Sequence, residues 1–385
     1  MMNNNELPIQ FNDYGEGRKD GFLRAKKVKE DGGRIAGTFC AFTPVEILEA
    51  AGFLPVSLCG SSNETIPDAE EHLPKNLCPL VKSSYGFAVS DKCPYTYFAD
   101  LIVGETTCDG KKKMYELLGE LKEMYILHLP QGIDTPYAKE MWVKELHRFR
   151  SFLEERFNIT ITDDELREAS KLRNRFRQAK CEMMEMQKMN PTPISGGELY
   201  KFFEGSDFKF NLKTSIEDME ALTQKTLAEY NKKEHIEDKQ TKRILITGCP
   251  IGGVAEKAIT AIEENGGVVV CFENCGGIKP TRSLVDTENE DIMEAIGEHY
   301  LNIGCSVMTP NPHRLKMIPE LIDEFKVDGV IDIILQACHT YNIETNSIHK
   351  LCKEHGTPYM SLETDFSQSD KGQMVTRIAA FIEML

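Results

Sequence analysis

RIAGTFCAFTPVEILEAAGFLPVSLCG, residues 34–60, is the stretch on which the fold turns. An apolar run, a turn carrying Cys40, a helical period and a second apolar run ending near Cys59 make a strand–turn–helix–strand unit. Within it, Thr43-Pro44-Val45-Glu46 reads as a capping box, with proline at the helix start and Glu46 reaching back to the helix end. The plan returns in RILITGCPIGGVAEKAITAIEENGGVVVCFENCGG, residues 243–277, with Cys249 in the turn. Further on, FADLIVGETTC (98–108) and VDGVIDIILQAC (327–338) each read as a buried strand running to a cysteine, then a helix and another strand. A middle cysteine, Cys78 or Cys305, completes each half, and Cys305 and Cys338 are expected to end apolar strands. These matches predict an α/β protein: two related parallel-sheet domains at 1–134 and 241–385.

Between them, residues 135–240 turn charged and helical in period, with proline breaks at 191 and 193. No chemistry-bearing cluster stands out there, so a helical domain and linker that spaces and packs the other two is expected, with Cys181 structural. A length of 385 residues accommodates this, at roughly 150 residues per domain.

The charge balance, 45 basic against 61 acidic side chains for a net −16, argues against nucleic acid or an anionic membrane surface as partner. No apolar run reaches the ~18 residues of a membrane span. The first residues, MMNNNELPIQFND, lack the basic and apolar regions of a signal peptide, which predicts a cytoplasmic protein. There thiols stay reduced, so the 12 cysteines are not expected to form a disulfide framework. A buried, inert thiol is the ordinary fate of a free cysteine. Zinc ribbons want closely spaced pairs, and Cys271 with Cys275 is the only one here.

What sets these cysteines apart is position. Ligands bind parallel α/β sheets outside the carboxyl ends of the strands, where turns lead into helices. Cys40, Cys78, Cys108, Cys249, Cys305 and Cys338 all fall in such turns on this reading. Helix N-termini offer free N–H groups that stabilise thiolates, and several thiolates meeting in one crevice suit an iron–sulfur cluster better than a nucleophile. Other motifs are weaker. GCPIGG is not a GxGxxG loop, and GETTCDGKKK lacks P-loop spacing, so bound ATP is not expected. Lys111, Lys112 and Lys113 read as a solvated helix face, or as cations balancing an anionic cluster.

Taken together, GTFCAFTPVEILEAAG, NLCPLVKSSYG, VGETTCDGKKKMYE, TGCPIGG, FENCGG, IGCSVM, LQACHTY and LETDFSQSD resemble the 2-hydroxyacyl-CoA dehydratase superfamily, most closely its double-cubane cluster branch. The resemblance implies an oxygen-sensitive iron–sulfur protein fed with electrons by a separate ATP-hydrolysing activator. Dehydratases hold one 4Fe–4S cluster through three cysteines, matched here by Cys78, Cys108 and Cys338. The double-cubane branch joins two such units through six cysteines, which nominates Cys40, Cys275 and Cys305 for the rest, with Cys249 as the alternative to Cys275. It further implies a homodimer that reduces small molecules. The competing readings are a subunit of an (R)-2-hydroxyacyl-CoA dehydratase and a non-catalytic carrier or scaffold. Ser83, Ser84, Glu273 and His339 flank the proposed ligands and are the candidates for hydrogen bonding to substrate or cluster sulfur, with capping or core satisfaction as the alternative for each.

Overall fold

The structure is a computed structural model that describes residues 16–207 and 210–385. The leader reading of the first residues lies outside these.

The N-terminal half is built from α1 (Glu16–Glu30), β1 (Arg34–Thr38), α2 (Val45–Ala50), β2 (Phe53–Ser57), α3 (Ile66–Ala69), α4 (Pro79–Val89), α5 (Pro94–Phe98), β3 (Leu101–Glu105), α6 (Asp109–Leu118) and β4 (Met124–Leu127). Four helices follow: α7 (Ala138–Phe157), α8 (Asp163–Glu185), α9 (Gly196–Asp207) and α10 (Leu212–Tyr230). The C-terminal half contains β5 (Lys242–Gly248), α11 (Ala255–Glu263), β6 (Gly267–Phe272), α12 (Ile292–Leu301), α13 (Pro312–Phe325), β7 (Gly329–Leu335), α14 (His339–His355), β8 (Tyr359–Thr364) and α15 (Lys371–Glu383).

Both sheets have one plan. Strand order is β2-β1-β3-β4 in the first and β6-β5-β7-β8 in the second, with every neighbouring pair parallel. Parallel strands covered by helices on both faces read as unbroken apolar runs, and inner strands β3 and β7 are buried at every residue. Edge strand β8 is only partly covered. In each sheet the order reverses between the first and third strands, and that switch point is where such folds open a crevice. Cys40 and Cys108 follow the two strands flanking the first switch point; Cys249 and Cys338 follow those flanking the second.

The helical segment joins the halves into one core. Trp142 and Phe149 of α7 are fully buried in one cluster with Ile47 of α2, Val103 of β3 and Ile296 of α12. At about 1.5–3 kcal/mol per fully buried large apolar side chain, this cluster binds three chain regions together. The backbones of the halves also touch directly. A Cβ at Gly253 would lie 1.9 Å from the Ser61 carbonyl oxygen, so only glycine permits this approach. Among the described residues no helix is long and apolar enough to cross a membrane.

Two local expectations are corrected. Thr43–Glu46 is not a capping box: Pro44 occupies the cap of α2 and no side chain caps it. The Thr43 hydroxyl instead bonds the Glu105 carboxylate, and Glu46 is drawn inward by Arg177 and Tyr300. A true capping box, Thr162 with Glu165, heads α8. Cys305 ends no strand; it lies in the turn between α12 and α13, because the apolar residues before it are the buried face of a helix.

Candidate active site in the crevice between the halves

Cys78, Cys108 and Cys338 occupy the N-cap positions of α4, α6 and α14. At an N-cap the first N–H groups of the helix have no intrahelical acceptor, which favours negative charge on the sulfur. Cys78 belongs to the first half and Cys338 to the second, yet their thiols come close enough to shift each other's titration. Hydrogen bonds from the thiols of Cys249 and Cys78 outweigh burial and hold Cys338 far below the usual thiol range. The same bond to Cys338, with burial, keeps Cys78 protonated; burial, then Cys338, does so for Cys249. The backbone turns into α14 through Ala337, whose φ of 56° is the left-handed conformation a side chain normally avoids. Cys108 caps the neighbouring helix, whose Gly110 faces Leu77, just before α4, and Val81 of α4, at 3.1 and 3.8 Å from where a Cβ would lie.

A second group of thiols gathers Cys40, Cys275 and Cys305, with Cys59 beside them. Burial raises the thiol of Cys305 to about 11, and the charge of Cys275 adds to it. Burial also pushes Cys40 well up; Lys111 opposes this, while Glu105, Cys305 and Cys275 reinforce it. Lys111 is buried, correcting the expectation of a solvated face; Lys113 alone of the three keeps a mostly exposed side chain. The Lys111 ammonium donates to the Phe39 carbonyl at 2.7 Å, and Cys59 donates to the same oxygen at 2.8 Å. From the other half, Lys279 donates to the Tyr341 hydroxyl at 2.9 Å, which lies 4.0 Å from the Cys305 sulfur.

A cleft of about 320 Å³ opens on this second group. Its wall takes Cys40, Cys59 and Lys111 from the first half and Asn274, Cys275, His299 and Tyr300 from the second. The helical segment supplies Arg173, Phe176, Arg177, Lys180 and Phe203. Residues 135–240 therefore line the cleft as well as spacing the two halves. Helical periodicity could place these cations on a face of α8, but which face meets the cysteines is a tertiary fact.

Glu46 and Arg177 form a buried ion pair at 2.5 Å behind the cleft, joined by the Tyr300 hydroxyl, which donates to Glu46 at 2.8 Å. Burial, the largest single influence, raises the Glu46 carboxyl, but Arg177, His299 and the hydrogen bonds from the backbone and Tyr300 together bring it down to about 2. Because the folded value lies below the unfolded one, Glu46 stabilises the fold above pH ~4.5, and that stabilisation is lost as pH falls toward 2. Glu46→Gln is expected to lose roughly 3 kcal/mol at pH 7, at 1.36 kcal/mol per pKa unit. Urea unfolding should show a constant deficit between pH 5.5 and 8 that narrows below pH 4.5.

None of the four residues proposed to contact substrate or cluster lies on the cleft wall. Ser84 accepts from Gly60 N–H at 2.9 Å and donates to the Leu80 carbonyl, while Ser83 accepts from Ser62 N–H at 3.1 Å. Both anchor the 60–62 loop. Glu273 is buried in ion pairs with Lys279 at 3.0 Å and Arg314 at 3.5 Å. His339 is exposed at the start of α14. Cys181 contacts Thr281 and stands apart from both thiol groups.

Two parallel α/β halves facing each other across a thiol-lined crevice define an α/β protein with cysteines gathered near paired switch points. The chain belongs to the family described as 2-hydroxyglutaryl-CoA dehydratase, D-component, whose profile matches residues 40–385. It is 47% identical over 381 residues, 99% of each chain, to the Escherichia coli (strain K12) protein titled "Putative dehydratase subunit YjiM". It is 25% identical over 395 residues, the full length of both, to the beta subunit of (R)-phenyllactyl-CoA dehydratase of Clostridium sporogenes. It is also 21% identical over 352 residues, 89% of each chain, to one of the subunits of benzoyl-CoA reductase of Thauera aromatica. Its relatives thus include both dehydratase and reductase subunits.

Proposed function

We propose that this chain is an iron–sulfur enzyme component that accepts low-potential electrons from a separate ATP-hydrolysing activator and reduces a small molecule in the crevice, working as a pair of identical chains. What supports the reading is the convergence of thiols from both halves, with Cys78 and Cys249 beside Cys338 and Cys275 and Cys305 beside Cys40. Thiols from distant turns that meet at a switch point make a soft donor set of the kind that holds iron–sulfur units.

The donor set fits two linked four-iron units. Cys78, Cys108 and Cys338, alike as helix caps, would hold one; Cys40, Cys275 and Cys305 would hold the other. Among the described residues no three His, Cys, Asp or Glu side chains close around a single ion. A four-iron unit does not require that, because each thiolate binds a different iron. When bound, such a group stores and passes single electrons. The chain's own residues position it: helix caps and N–H groups favour the anionic sulfurs, and Lys111 and Lys279 offset charge beside the second trio. Cys249, buried and accepting from Leu335 N–H at 3.4 Å, also lies against Cys338 and Cys78 and is a further donor candidate in that group.

The names of the more distant relatives favour a second reading, a subunit of a 2-hydroxyacyl-CoA dehydratase with one 4Fe–4S cluster. An anaerobic assay with strong reductant, ATP and the cognate activator separates them, run on small unsaturated molecules and on a panel of 2-hydroxyacyl-CoAs. Reduction of the former that requires activator and ATP is expected. Dehydration of a CoA ester would decide for the second reading; inactivity of fully iron-loaded protein toward both classes would leave it a carrier or scaffold.

A further inference from the structure

Lys82, Lys257 and Lys279 are buried lysines that each meet a carboxylate: Glu70 at 2.9 Å, Asp370 at 2.6 Å and Glu273 at 3.0 Å. Lys111 is buried too, at 7% exposure, yet no carboxylate of the described residues reaches ion-pair distance of its ammonium. The Phe39 carbonyl, at 2.7 Å, is its one hydrogen-bond acceptor among them. An ammonium offers three donors. Burying its charge unpaired is strongly unfavourable, so a lysine kept in this state calls for an anion that the chain's carboxylates do not supply.

The ammonium lies beside the second trio. The carbonyl it bonds belongs to the residue before Cys40, and the same oxygen accepts from the Cys59 thiol at 2.8 Å. Burial works against the Lys111 charge; Tyr115, then Cys59 and Cys40, favour it more than Glu105 does. The other lysines near the caps of α4 and α6 are taken: Lys82 by Glu70, Lys112 by Asp109 at 3.0 Å and Lys113 by Glu116 at 2.7 Å. For Cys338 and Cys78 the leading influences are neighbouring thiols, then burial and backbone N–H groups, with no lysine or arginine among them. The two trios therefore differ in the charge that surrounds them.

We propose that Lys111 is a positioning residue whose charge makes the group held by Cys40, Cys275 and Cys305 easier to reduce than the group held by Cys78, Cys108 and Cys338. A fixed cation stabilises the more negative, reduced form of its neighbour, and the effect is large where water is excluded. Lys113, two positions on, carries the same charge on a side chain that is 74% exposed, where solvent screening removes most of it. The electron is the one the activator supplies. Its passage between the groups oxidises one and reduces the other, with no further reactant, and it comes to rest beside the cleft. The inference rests on the reading of the two trios as holders of four-iron units.

The test is an anaerobic redox titration of iron-loaded protein at pH 7, followed by absorbance and electron paramagnetic resonance. Wild type should show two reductions at different potentials. Lys111→Gln should weaken the higher one about tenfold in its equilibrium constant, ~59 mV downward for one electron, and move the lower one less. Lys111→Met, a second neutral variant that needs no partner in a buried site, should do the same. Lys111→Arg, which keeps the charge, and Lys113→Gln, which loses the same charge in water, should both hold the wild-type value. Iron content and thermal midpoint, measured on each variant, should match wild type. Coincident reductions in wild type, an unchanged higher potential in both neutral variants, a larger shift in the lower one, or an equal shift in Lys113→Gln would overturn the role. So would loss of iron from both neutral variants, since the lysine would then hold the group rather than tune it. A wild-type chain without iron, or with one unit only, would instead overturn the proposed function, so the two failures are told apart.

Discussion

Anaerobically prepared protein is expected to contain about eight irons per chain, from two four-iron units of the type thiolates hold. Cys338→Ser should lose about half of them and change the visible spectrum. Serine keeps the size of the side chain, but a hydroxyl is a far poorer ligand for soft iron–sulfur units. Cys338 is the most informative position because it interacts with both Cys249 and Cys78 and caps α14. Cys78→Ser and Cys108→Ser should behave alike, whereas Cys181→Ser, near Thr281, should keep full iron. Cys249→Ser distinguishes the assignments within the crevice: with Cys108 as the third ligand, it should retain most of the iron. If Cys249→Ser lost half and Cys108→Ser lost none, Cys249 would be the third ligand. A wild-type content near four after full reconstitution would favour the single-cluster reading, and stoichiometric zinc without iron would remove both.

The largest effect on stability is expected from Arg314→Met. This guanidinium has no solvent exposure and pairs with Glu344 at 2.5 Å, Glu273 at 3.5 Å and Asp332 at 3.7 Å, while donating to Thr247 at 2.8 Å. Its plane lies 4.9 Å from the Tyr341 ring. Methionine fills much of the volume but leaves Glu273 and Asp332 buried, with Lys279 as the remaining cation paired to Glu273. Removing one partner of a buried ion pair typically costs 3–5 kcal/mol, and a urea-unfolding deficit of about that size is expected. Adding Glu273→Gln should restore part of it, since one uncompensated charge then disappears. A deficit below about 1 kcal/mol would show that water reaches these carboxylates. Tyr341 lies 4.0 Å from the Cys305 sulfur and within reach of the same network, so Arg314→Met should also lower iron at the second thiol trio.

Much of the architecture was legible from residue order alone. Apolar runs such as GVIDIIL, each followed by a turn and a helical period, identify parallel strands because both faces of such strands must be covered. Internal similarity between 34–60 and 243–277 pointed to paired sheets, and both have the order 2-1-3-4 in their own strands. The local reading failed where a side chain had a better partner far away. Glu46 has the spacing of a capping residue, yet Arg177, 131 positions away, takes it. Lys111 has the surroundings of a surface lysine, yet it is buried against a carbonyl 72 positions away.

The candidate site divides the same way. Positions of the cysteines relative to strand ends follow from sequence, because a strand end and a helix start are local events set by periodicity and capping; Cys78 before Pro79 is such a case. Which cysteines share a pocket does not, because grouping depends on how the two halves dock. Backbone contact at Gly253 and Ser61 and the common core of α7, α2 and α12 set that docking. It joins Cys78 to Cys338 and brings Cys249 against them, gathers Cys40 with Cys275 and Cys305, and turns α8 to line the cleft. The sequence by itself determined two parallel-sheet units and put thiols at their strand ends; the tertiary structure decided which thiols meet, because long-range packing, rather than local propensity, closes the crevice.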